Sequence, residues 1–322
     1  MLDSTRVRLL LAAVAAAAMT AGLVGVQQLL PRPAAPAAAT PPPVAIASPS
    51  PAAVAAPRPS PTPSQYDHVV VIVLENHSLD TVIGSAQAPY LNSLAQRWSL
   101  ATNYSGVSHP SLPNYLALVG GDTFGVSSDC TACFVSAPSL PDRLDAAGRT
   151  WKAYMEGMPR PCYAGSAGLY AQRHDPFFYF DAIRNDPARC GRIVPYSSLA
   201  ADFSSPSTAP NFSFITPNLC NDGHDCPLST TDAWLSREVP TLLASPAFSG
   251  SRSLLAITYD EGEGGDDRVA TVLVGSGVRQ GYRSAAAYDH YSLLRTIETL
   301  WNLPPLAAGD RGATPMAEFL AG

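Results

Sequence analysis

A short stretch from Ser108 to Val119 brings a serine hydroxyl to the start of a predicted helix. Four apolar side chains recur there at helical spacing and predict one buried face: Leu112, Tyr115, Leu116 and Val119. We expect Ser111 to be the N-cap, because its oxygen can accept from free amides of the first turn. Those amides favour anions, and phosphate is the obvious candidate. Most N-cap serines only cap, and that is the alternative.

Polar pairs directly follow two continuous apolar runs, His68–Leu74 and Ser253–Tyr259, which predict strands buried on both faces. The carboxyl ends of parallel strands meet at one edge of a sheet, so these pairs should converge. Carboxylate and amide oxygens are ligands for Ca²⁺, Mg²⁺ or Mn²⁺, and converging acids need a cation between them. The predicted metal ligands are Glu75, Asn76, Asp260 and Glu261. The alternative is that these acids lie in solvated loops.

Three histidines follow or precede predicted elements at positions where they could serve a phosphate site: His109, His224 and His290. Each could bind phosphate oxygens, protonate a leaving group or complete a metal shell. His109 could instead be a turn residue, and His290 could lie on the surface at a helix start. We expect His174 to be structural or peripheral.

Predicted strands and helices alternate along the chain, which indicates an α/β fold with a mainly parallel central sheet sandwiched by helices. The further predicted strands are Leu100–Tyr104, Trp151–Met155, Phe212–Thr216 and Val269–Val274. The predicted helices are Pro89–Trp98, Ser111 to Gly120, Leu140–Ala147, Asp232–Leu243 and Ser292–Leu300. Residues 157–200 are weakly periodic and predict a loop-rich insertion.

The N-terminal residues have a different character from the rest. Arg6 and Arg8 precede an apolar run from Leu9 to Val26, so residues 1–30 predict a signal peptide or an N-terminal membrane anchor. Residues 31–64 are rich in Pro, Ala and Ser and predict a disordered linker. The folded domain is expected over residues 65–322, secreted or anchored to the outer face of the cytoplasmic membrane.

Composition limits the classes of function. A net charge of −6 and a pI near 5.4 argue against a nucleic-acid binder, and 46% hydrophobic residues support a real core. Six cysteines in an exported chain predict disulfides. Pairing of near neighbours would join Cys130–Cys133, Cys162–Cys190 and Cys220–Cys226. Six cysteines allow about fifteen connectivities, and Cys130-x-x-Cys133 could also be a redox or zinc motif.

Five motifs occur in order along the chain. They are Leu74-Glu75-Asn76-His77-Ser78, Ser108-His109-Pro110-Ser111-Leu112-Pro113-Asn114-Tyr115-Leu116, Asn221-Asp222-Gly223-His224-Asp225, Tyr259-Asp260-Glu261-Gly262 and His290-Tyr291-Ser292-Leu293-Leu294-Arg295-Thr296-Ile297-Glu298. Together they resemble the bacterial phosphoesterase family of secreted acid phosphatases and phospholipases C, over residues 66 to 305. The resemblance implies an alkaline-phosphatase-like fold.

The resemblance also implies roles for single residues. Ser111 would be the nucleophile, Asn114 would touch a phosphate oxygen, and His224 would occupy the histidine position of an Asp-x-His-Asp motif. The metal-binding pairs of the family fall on Glu75-Asn76 and Asp260-Glu261. Two positions depart from the family pattern: Gly223 stands where Met is expected, and Asp289 stands where Ser or Thr is usual.

The expected function is that of a metal-dependent phosphomonoesterase, an acid phosphatase with a phosphoserine intermediate, with phosphoinositides among its candidate substrates. The predicted catalytic residues are Ser111, His224 and His290, and the predicted substrate-binding residues are His109, Asn114 and Asp225. The substrate would be a small-molecule or lipid phosphate ester. A phospholipase C-type phosphodiesterase and a non-catalytic surface-binding domain are the alternatives. The sequence makes no prediction of oligomeric state.

Overall fold

The computed structural model of the chain describes residues 66–265 and 267–321. The predicted export segment at 1–30 and the linker at 31–64 lie outside these residues. Across the described ranges, none of the helices combines the length and the apolar character that a bilayer crossing requires.

The described residues alternate between strands and helices, as the sequence pattern predicts. The strands are β1 (His68–Leu74), β2 (Ser99–Ser105), β3 (Trp151–Met155), β4 (Ile193–Pro195), β5 (Phe212–Thr216), β6 (Ser253–Tyr259), β7 (Arg268–Gly275), β8 (Tyr282–Ser284) and β9 (Tyr288–Asp289). The helices are α1 (Leu79–Val82), α2 (Pro89–Arg97), α3 (Ser111–Gly120), α4 (Leu140–Ala146), α5 (Asp181–Arg184), α6 (Pro187–Cys190), α7 (Leu199–Asp202), α8 (Leu228–Ala244), α9 (Pro246–Ser249), α10 (His290–Leu300) and α11 (Ala308–Gly312). Short 3₁₀ turns cover Gln172–His174, Pro176–Tyr179, Tyr196–Ser198 and Ala317–Phe319.

The strands form one mixed sheet in the order β4-β3-β5-β1-β6-β7-β2-β8, with β9 paired to β2. Within the described ranges β7 runs against both neighbours, and the remaining strand pairs are parallel. The prediction of a mainly parallel α/β sheet is therefore confirmed. Every residue of β1, β5 and β6 is buried, which explains why these strands read as continuous apolar runs.

The three central strands set the position of the polar residues that follow them. In the β1–β6 ladder Leu74 lies opposite Tyr259, so the residues after each strand are also neighbours. β5 pairs with the other side of β1 and runs in the same direction. The segments that follow β1, β5 and β6 therefore emerge at one edge of the sheet.

Helix α3 packs against α10 and lies over β5, where the rings of Tyr115 and Phe214 are 6.2 Å apart. It ends as predicted, because Gly121 adopts the left-handed conformation with a φ of 72°. The prediction that Ser111 is its N-cap is wrong. Pro110 is the N-cap, and Ser111 is the first helical residue with its hydroxyl directed elsewhere.

The three disulfides join near neighbours along the chain: Cys130–Cys133, Cys162–Cys190 and Cys220–Cys226. The short-range pairing is therefore confirmed. Residues 157–200 form short helices and turns, as a loop-rich insertion should, but they also add the three-residue edge strand β4. A strand of that length is too short to give a periodic signal in sequence.

Candidate active site

Glu75 and Asp260 meet where the β1–β6 ladder continues past the strand ends. The amide of Asp260 donates to Leu74 O at 2.8 Å, and the amide of Asn76 donates to Asp260 Oδ1 at 3.1 Å. Asn76 has a φ of 57°, a left-handed conformation that asparagine tolerates better than most residues. Both carboxylates are fully buried, so they form the floor of the site.

Ser111 reaches this floor from the first turn of α3. Its hydroxyl donates to Glu75 Oε2 at 3.0 Å, and the Ser111 residue is only 3% exposed. One turn later, Tyr115 OH donates to the other oxygen, Glu75 Oε1, at 2.5 Å. The helix start thus fixes both oxygens of one carboxylate and holds the predicted nucleophile against them.

The loop after β5 supplies a third buried carboxylate, which sequence analysis did not single out as a ligand. Asp222 O accepts from the amide of Glu75 at 3.0 Å, and Asp222 Oδ1 accepts from the amide of His224 at 2.8 Å. The Cys220–Cys226 disulfide closes this loop. Asp222 is therefore tied to β1 through its backbone while its second carboxylate oxygen faces the site.

His174 lies inside the site, although we expected it to be structural or peripheral. Its Nε2 is 3.3 Å from Glu75 Oε1 and its Nδ1 is 3.3 Å from Asp222 Oδ2. The imidazole stacks on Tyr115 with ring centroids 5.2 Å apart and planes at 7°. The sequence could not predict this contact, because residues 157–200 have no periodic pattern and the contact forms only when the insertion folds.

Glu75, His174 and Asp222 form a group that fits a metal ion. Each offers a ligand atom, and these atoms lie within 4.8 Å of one another. Three buried atoms of this site have no partner with hydrogen-bond geometry among the described residues: His174 Nε2, Asp222 Oδ2 and Asp260 Oδ2. Buried polar atoms are normally satisfied, so these ligand atoms fit a bound cation.

The raised pKa values of three carboxyls, those of Glu75, Asp222 and Asp260, also indicate that the site suits a cation. Burial raises the pKa of Glu75 well above its ordinary value, and the charges of Asp260 and Asp222 raise it further. Burial also raises the pKa of Asp260 to about 8 and the pKa of Asp222 to about 7. Without a cation these acids tend to keep their protons at neutral pH. A divalent ion would supply the charge that allows all three to ionise.

Glu261 lies higher in the site, among hydrogen-bond donors. Its Oε2 accepts from Asn114 Nδ2 at 3.1 Å and lies 3.2 Å from His109 Nδ1. Asn114 also binds the loop before α3, since its Oδ1 accepts from the amides of Val107 and Ser108 at 2.8 and 3.1 Å. Of the predicted metal ligands, Glu261 is therefore the one whose carboxylate contacts Asn114 in α3 and His109 in the loop before it.

His109 lies at the entrance, half exposed. Its Nε2 is 2.6 Å from Asp267 Oδ1, so the ring bridges Glu261 and Asp267. Partial burial lowers the pKa of His109, but the hydrogen bond to Asp267 and the charge of Glu261 more than offset this, and the net pKa is raised. The entrance opens into a cavity of about 650 Å³ lined by Asn76, His109, His224, Glu261, residues 262–265 and Asp267.

His224 and Asp225 form a pair on the far side of this cavity. His224 Nδ1 is 2.7 Å from Asp225 Oδ1, and His224 Nε2 is 3.0 Å from Arg173 Nη2. Since a guanidinium can only donate, His224 Nε2 is the acceptor of that hydrogen bond, and His224 Nδ1–H donates to Asp225. His224 thus lines the cavity with Asp225 as its hydrogen-bond partner, and Arg173 is a further neighbour that the sequence pattern does not indicate.

His290 is fully buried behind Asp260. Its Nε2 donates to Asp260 O at 2.5 Å, and its Nδ1 accepts from Tyr104 OH at 3.0 Å. Burial lowers its pKa to about 4, so the ring is neutral. Both nitrogens are occupied by the protein, and the histidine fixes the backbone that carries Asp260.

Gly223 has a conformation that explains its departure from the expected Met. Its φ is +105°, and a Cβ there would lie 3.2 Å from Glu75 O and from Thr231 Oγ1. A side chain at this point would be strained and would also press on the carbonyl of Glu75. A methionine would need a different local backbone.

Gly223→Ala should therefore lower the melting temperature more than Gly84→Ala. Gly84 has a similar φ of +89°, and no atom lies within 4 Å of the point where a methyl group would sit, so it reports backbone strain alone. Strain of about 1–3 kcal/mol is expected in both variants, and the contact with Glu75 adds to it in Gly223→Ala. Thermal denaturation of the two variants side by side measures the difference. Equal losses would mean that the loop simply moves aside.

Solved structures of low sequence identity share this fold. An alkaline phosphatase superfamily protein from Vibrio parahaemolyticus superposes with a TM-score of 0.52 at 14% identity, over 76% of this chain and 72% of that chain. At this identity the likeness concerns the fold, and it confirms the alkaline-phosphatase-like architecture. The chain is therefore an α/β protein of alkaline-phosphatase-like fold, with a serine at a helix start and buried acids at the strand ends.

Sequence relatives identify the family. The model of the Phosphoesterase family matches residues 85–304. A phosphatidylinositol-3-phosphatase from Mycobacterium tuberculosis is 36% identical over 242 residues, which cover 74% of this chain and 78% of the relative. A phosphate-repressible acid phosphatase from Penicillium chrysogenum is 34% identical over 263 residues, 77% of this chain and 62% of the relative. The chain belongs to the Phosphoesterase family, and it spans about three fifths of the length of that fungal relative.

Proposed function

We propose that this protein is a metal-dependent phosphomonoesterase of the acid phosphatase type, with Ser111 as its nucleophile. The carrying observation is the 3.0 Å contact between Ser111 Oγ and Glu75, a carboxylate that belongs to the metal-fitting group. The names of the relatives, an acid phosphatase and a phosphoinositide phosphatase, support phosphate monoesters as the substrate class.

The ion would be held by Glu75, His174 and Asp222, with Asp260 and the Asn76 amide as further candidate ligands. An imidazole in the set favours a transition-metal ion such as Mn²⁺ over Ca²⁺ or Mg²⁺, which prefer oxygen ligands. When bound, the ion would polarise a phosphoryl oxygen and lower the pKa of the Ser111 hydroxyl.

Ser111 performs the first chemical step. Its oxygen forms a bond to phosphorus as the bond from phosphorus to the leaving oxygen breaks in line, which gives a phosphoserine. The hydroxyl proton passes toward Glu75 Oε2, the atom to which it is already hydrogen-bonded. Tyr115 keeps that carboxylate in place from its other oxygen. Water then attacks phosphorus, the bond from phosphorus to the Ser111 oxygen breaks, inorganic phosphate leaves, and the proton on Glu75 returns to the serine oxygen.

The leaving alkoxide needs a proton, and His224 is the candidate donor because it lines the cavity and pairs with Asp225. It would take up that proton from solvent on Nε2 once the substrate displaces Arg173 from this atom. We assign His290 to positioning, since both of its ring nitrogens form hydrogen bonds within the protein. We retain His109, Asn114 and Asp225 as substrate-binding or orienting residues.

Three disulfides support folding in an oxidising compartment outside the cytoplasm. Export by the segment at 1–30, as a signal peptide or as an anchor, is part of the proposal. An anchored form would act on esters at the outer face of the cytoplasmic membrane.

A substrate panel tests the proposal. Purified protein is assayed with aryl and phosphoinositide monoesters, and with an aryl diester and a phosphatidylcholine as diesters, each with Mn²⁺ and with EDTA. We expect turnover of monoesters that Mn²⁺ supports and EDTA removes. Faster hydrolysis of diesters would favour a phospholipase C-type activity. No turnover of any ester with any divalent ion would favour a non-catalytic surface-binding domain.

A further inference from the structure

We infer that Arg173 is a specificity-determining residue that binds a non-bridging phosphate oxygen and makes the site prefer phosphomonoesters to diesters. The inference rests on the proposed function and deepens it, because it concerns the substrate class of the same site.

Arg173 lies in the 3₁₀ turn immediately before His174, so the metal-fitting group and the guanidinium share one short segment. Its side chain is 23% exposed, buried enough to be ordered and open enough to meet a ligand. Nη2 is 3.0 Å from His224 Nε2, and His224 lines the entrance cavity. The guanidinium therefore directly contacts a residue that lines the site.

A second contact brings Arg173 toward the helix that carries Ser111. Its Nε is 3.4 Å from Asp129 Oδ2, and Asp129 Oδ1 accepts from the amide of Leu112 at 3.0 Å. Leu112 is the residue after Ser111. Arg173 thus lies between the start of α3 and His224, two groups that the proposed reaction places on opposite sides of the phosphate.

The present partners leave the guanidinium with unused capacity. Nε has no acceptor with hydrogen-bond geometry among the described residues, because the approach of Asp129 is an ion pair of poor alignment. Nη2 donates to a neutral imidazole, a weaker acceptor than an anionic oxygen. A phosphate oxygen would replace the imidazole as a charged acceptor and free His224 Nε2 for proton transfer.

Charge explains why this residue would discriminate between ester classes. The site is rich in acids, with Glu75, Asp222 and Asp260 on its floor, and an anion approaching it needs compensation. A monoester carries up to two negative charges on three non-bridging oxygens, whereas a diester carries one charge on two. A guanidinium beside the metal group supplies a partner for the additional oxygen.

The experiment compares four variants with wild type: Arg173→Ala, Arg173→Lys, Asp129→Asn and Arg184→Ala. Arg184 is the matched control, because its side chain is 27% exposed and forms an ion pair with Asp181 in helix α5. The readouts are kcat/KM for 4-nitrophenyl phosphate and for bis(4-nitrophenyl) phosphate, Ki for inorganic phosphate, and the melting temperature.

We expect Arg173→Ala to lower kcat/KM for the monoester and to raise Ki for phosphate by about 10- to 100-fold, the loss of one charged hydrogen bond. The diester rate should change less than about threefold. Arg173→Lys should restore part of the monoester activity, because it keeps the charge but loses the fork. Asp129→Asn should keep Ki for phosphate near wild type, since it retains the guanidinium, and Arg184→Ala should behave as wild type.

Two results would overturn the inference. One is an equal fall of monoester and diester rates in Arg173→Ala; the other is a rise in Ki in Asp129→Asn as large as that in Arg173→Ala. Either would mean that the Arg173–Asp129 pair only holds the start of α3. Wild-type protein that hydrolyses neither ester would refute the proposed function itself. An active wild type whose monoester rate is unchanged in Arg173→Ala would refute only the role of Arg173.

Discussion

Ser111→Ala is expected to reduce phosphomonoester turnover by about four orders of magnitude or more, the range seen when a serine nucleophile is removed. The variant loses the atom that bonds to phosphorus and the hydrogen bond to Glu75. That bond contributes about 1 kcal/mol, so the melting temperature should move by no more than about 4 °C. Initial rates with 4-nitrophenyl phosphate and a thermal denaturation curve measure the two effects.

Ser139→Ala is the matched control. Ser139 is also a buried serine at a helix start, and its hydroxyl donates to a carboxylate oxygen of Asp142 at 2.8 Å. Its replacement should cost about 1 kcal/mol of stability and leave turnover unchanged. Turnover retained in Ser111→Ala would exclude the serine as nucleophile, whatever the metal does.

Metal removal is expected to give the second large effect. Dialysis against EDTA should lower turnover at least about a hundredfold, because the phosphoryl oxygen loses its Lewis acid. The same treatment should make stability depend on pH. Activity assays, metal analysis of the purified protein and melting curves from pH 5 to pH 8.5 follow both consequences.

The direction of that pH dependence follows from the raised carboxyl pKa values. Asp222 and Asp260 have pKa values of about 7 and about 8 when folded and metal-free, against about 3.9 for an unfolded aspartate. The folded state therefore binds more protons in this window, and stability falls as pH rises through the folded pKa values. A loss of several kcal/mol, or about 10 °C or more in melting temperature, is expected between pH 5 and pH 8.5. Mn²⁺ should abolish it, because the cation replaces the protons.

Asp260→Asn separates function from stability in the same experiment. It removes one of the repelling charges, so the metal-free variant should melt above metal-free wild type at pH 8.5 while turnover is lost. Asp202→Asn, which breaks an ion pair with Lys152 in a different part of the fold, should retain activity and the response to Mn²⁺. Wild-type protein whose activity and melting temperature ignore EDTA would contradict the metal site.

The sequence predicted the strands well because the central ones are buried on both faces. β1, β5 and β6 have the bounds that the sequence predicts. Because these strands are parallel, the polar residues that follow them meet at one edge of the sheet. The reversed direction of β7 and the edge strand β4 are products of tertiary contacts. Helix α8 begins at Leu228, four residues before the predicted start. The sequence did not predict this first turn because it has no apolar periodicity.

The site divides in the same way. Glu75, Ser111 and Asp260 could be predicted together because each follows a strand or begins a helix at the same edge of the sheet. His174 and Arg173 could not, because they reach the site from an insertion without periodic pattern. The burial of His290 was equally hidden, since a histidine at a helix start is usually exposed.

The contacts of Glu75 have a consequence for how such a site can change over time. Its amide binds the loop after β5, and its carboxylate binds Ser111 and Tyr115, so one residue couples three segments. By contrast, the side chains of Glu263 and Asp267 at the entrance are 55% and 56% exposed. Evolution, or a protein engineer in search of new substrates, has little freedom at the base of this cavity and much at its rim.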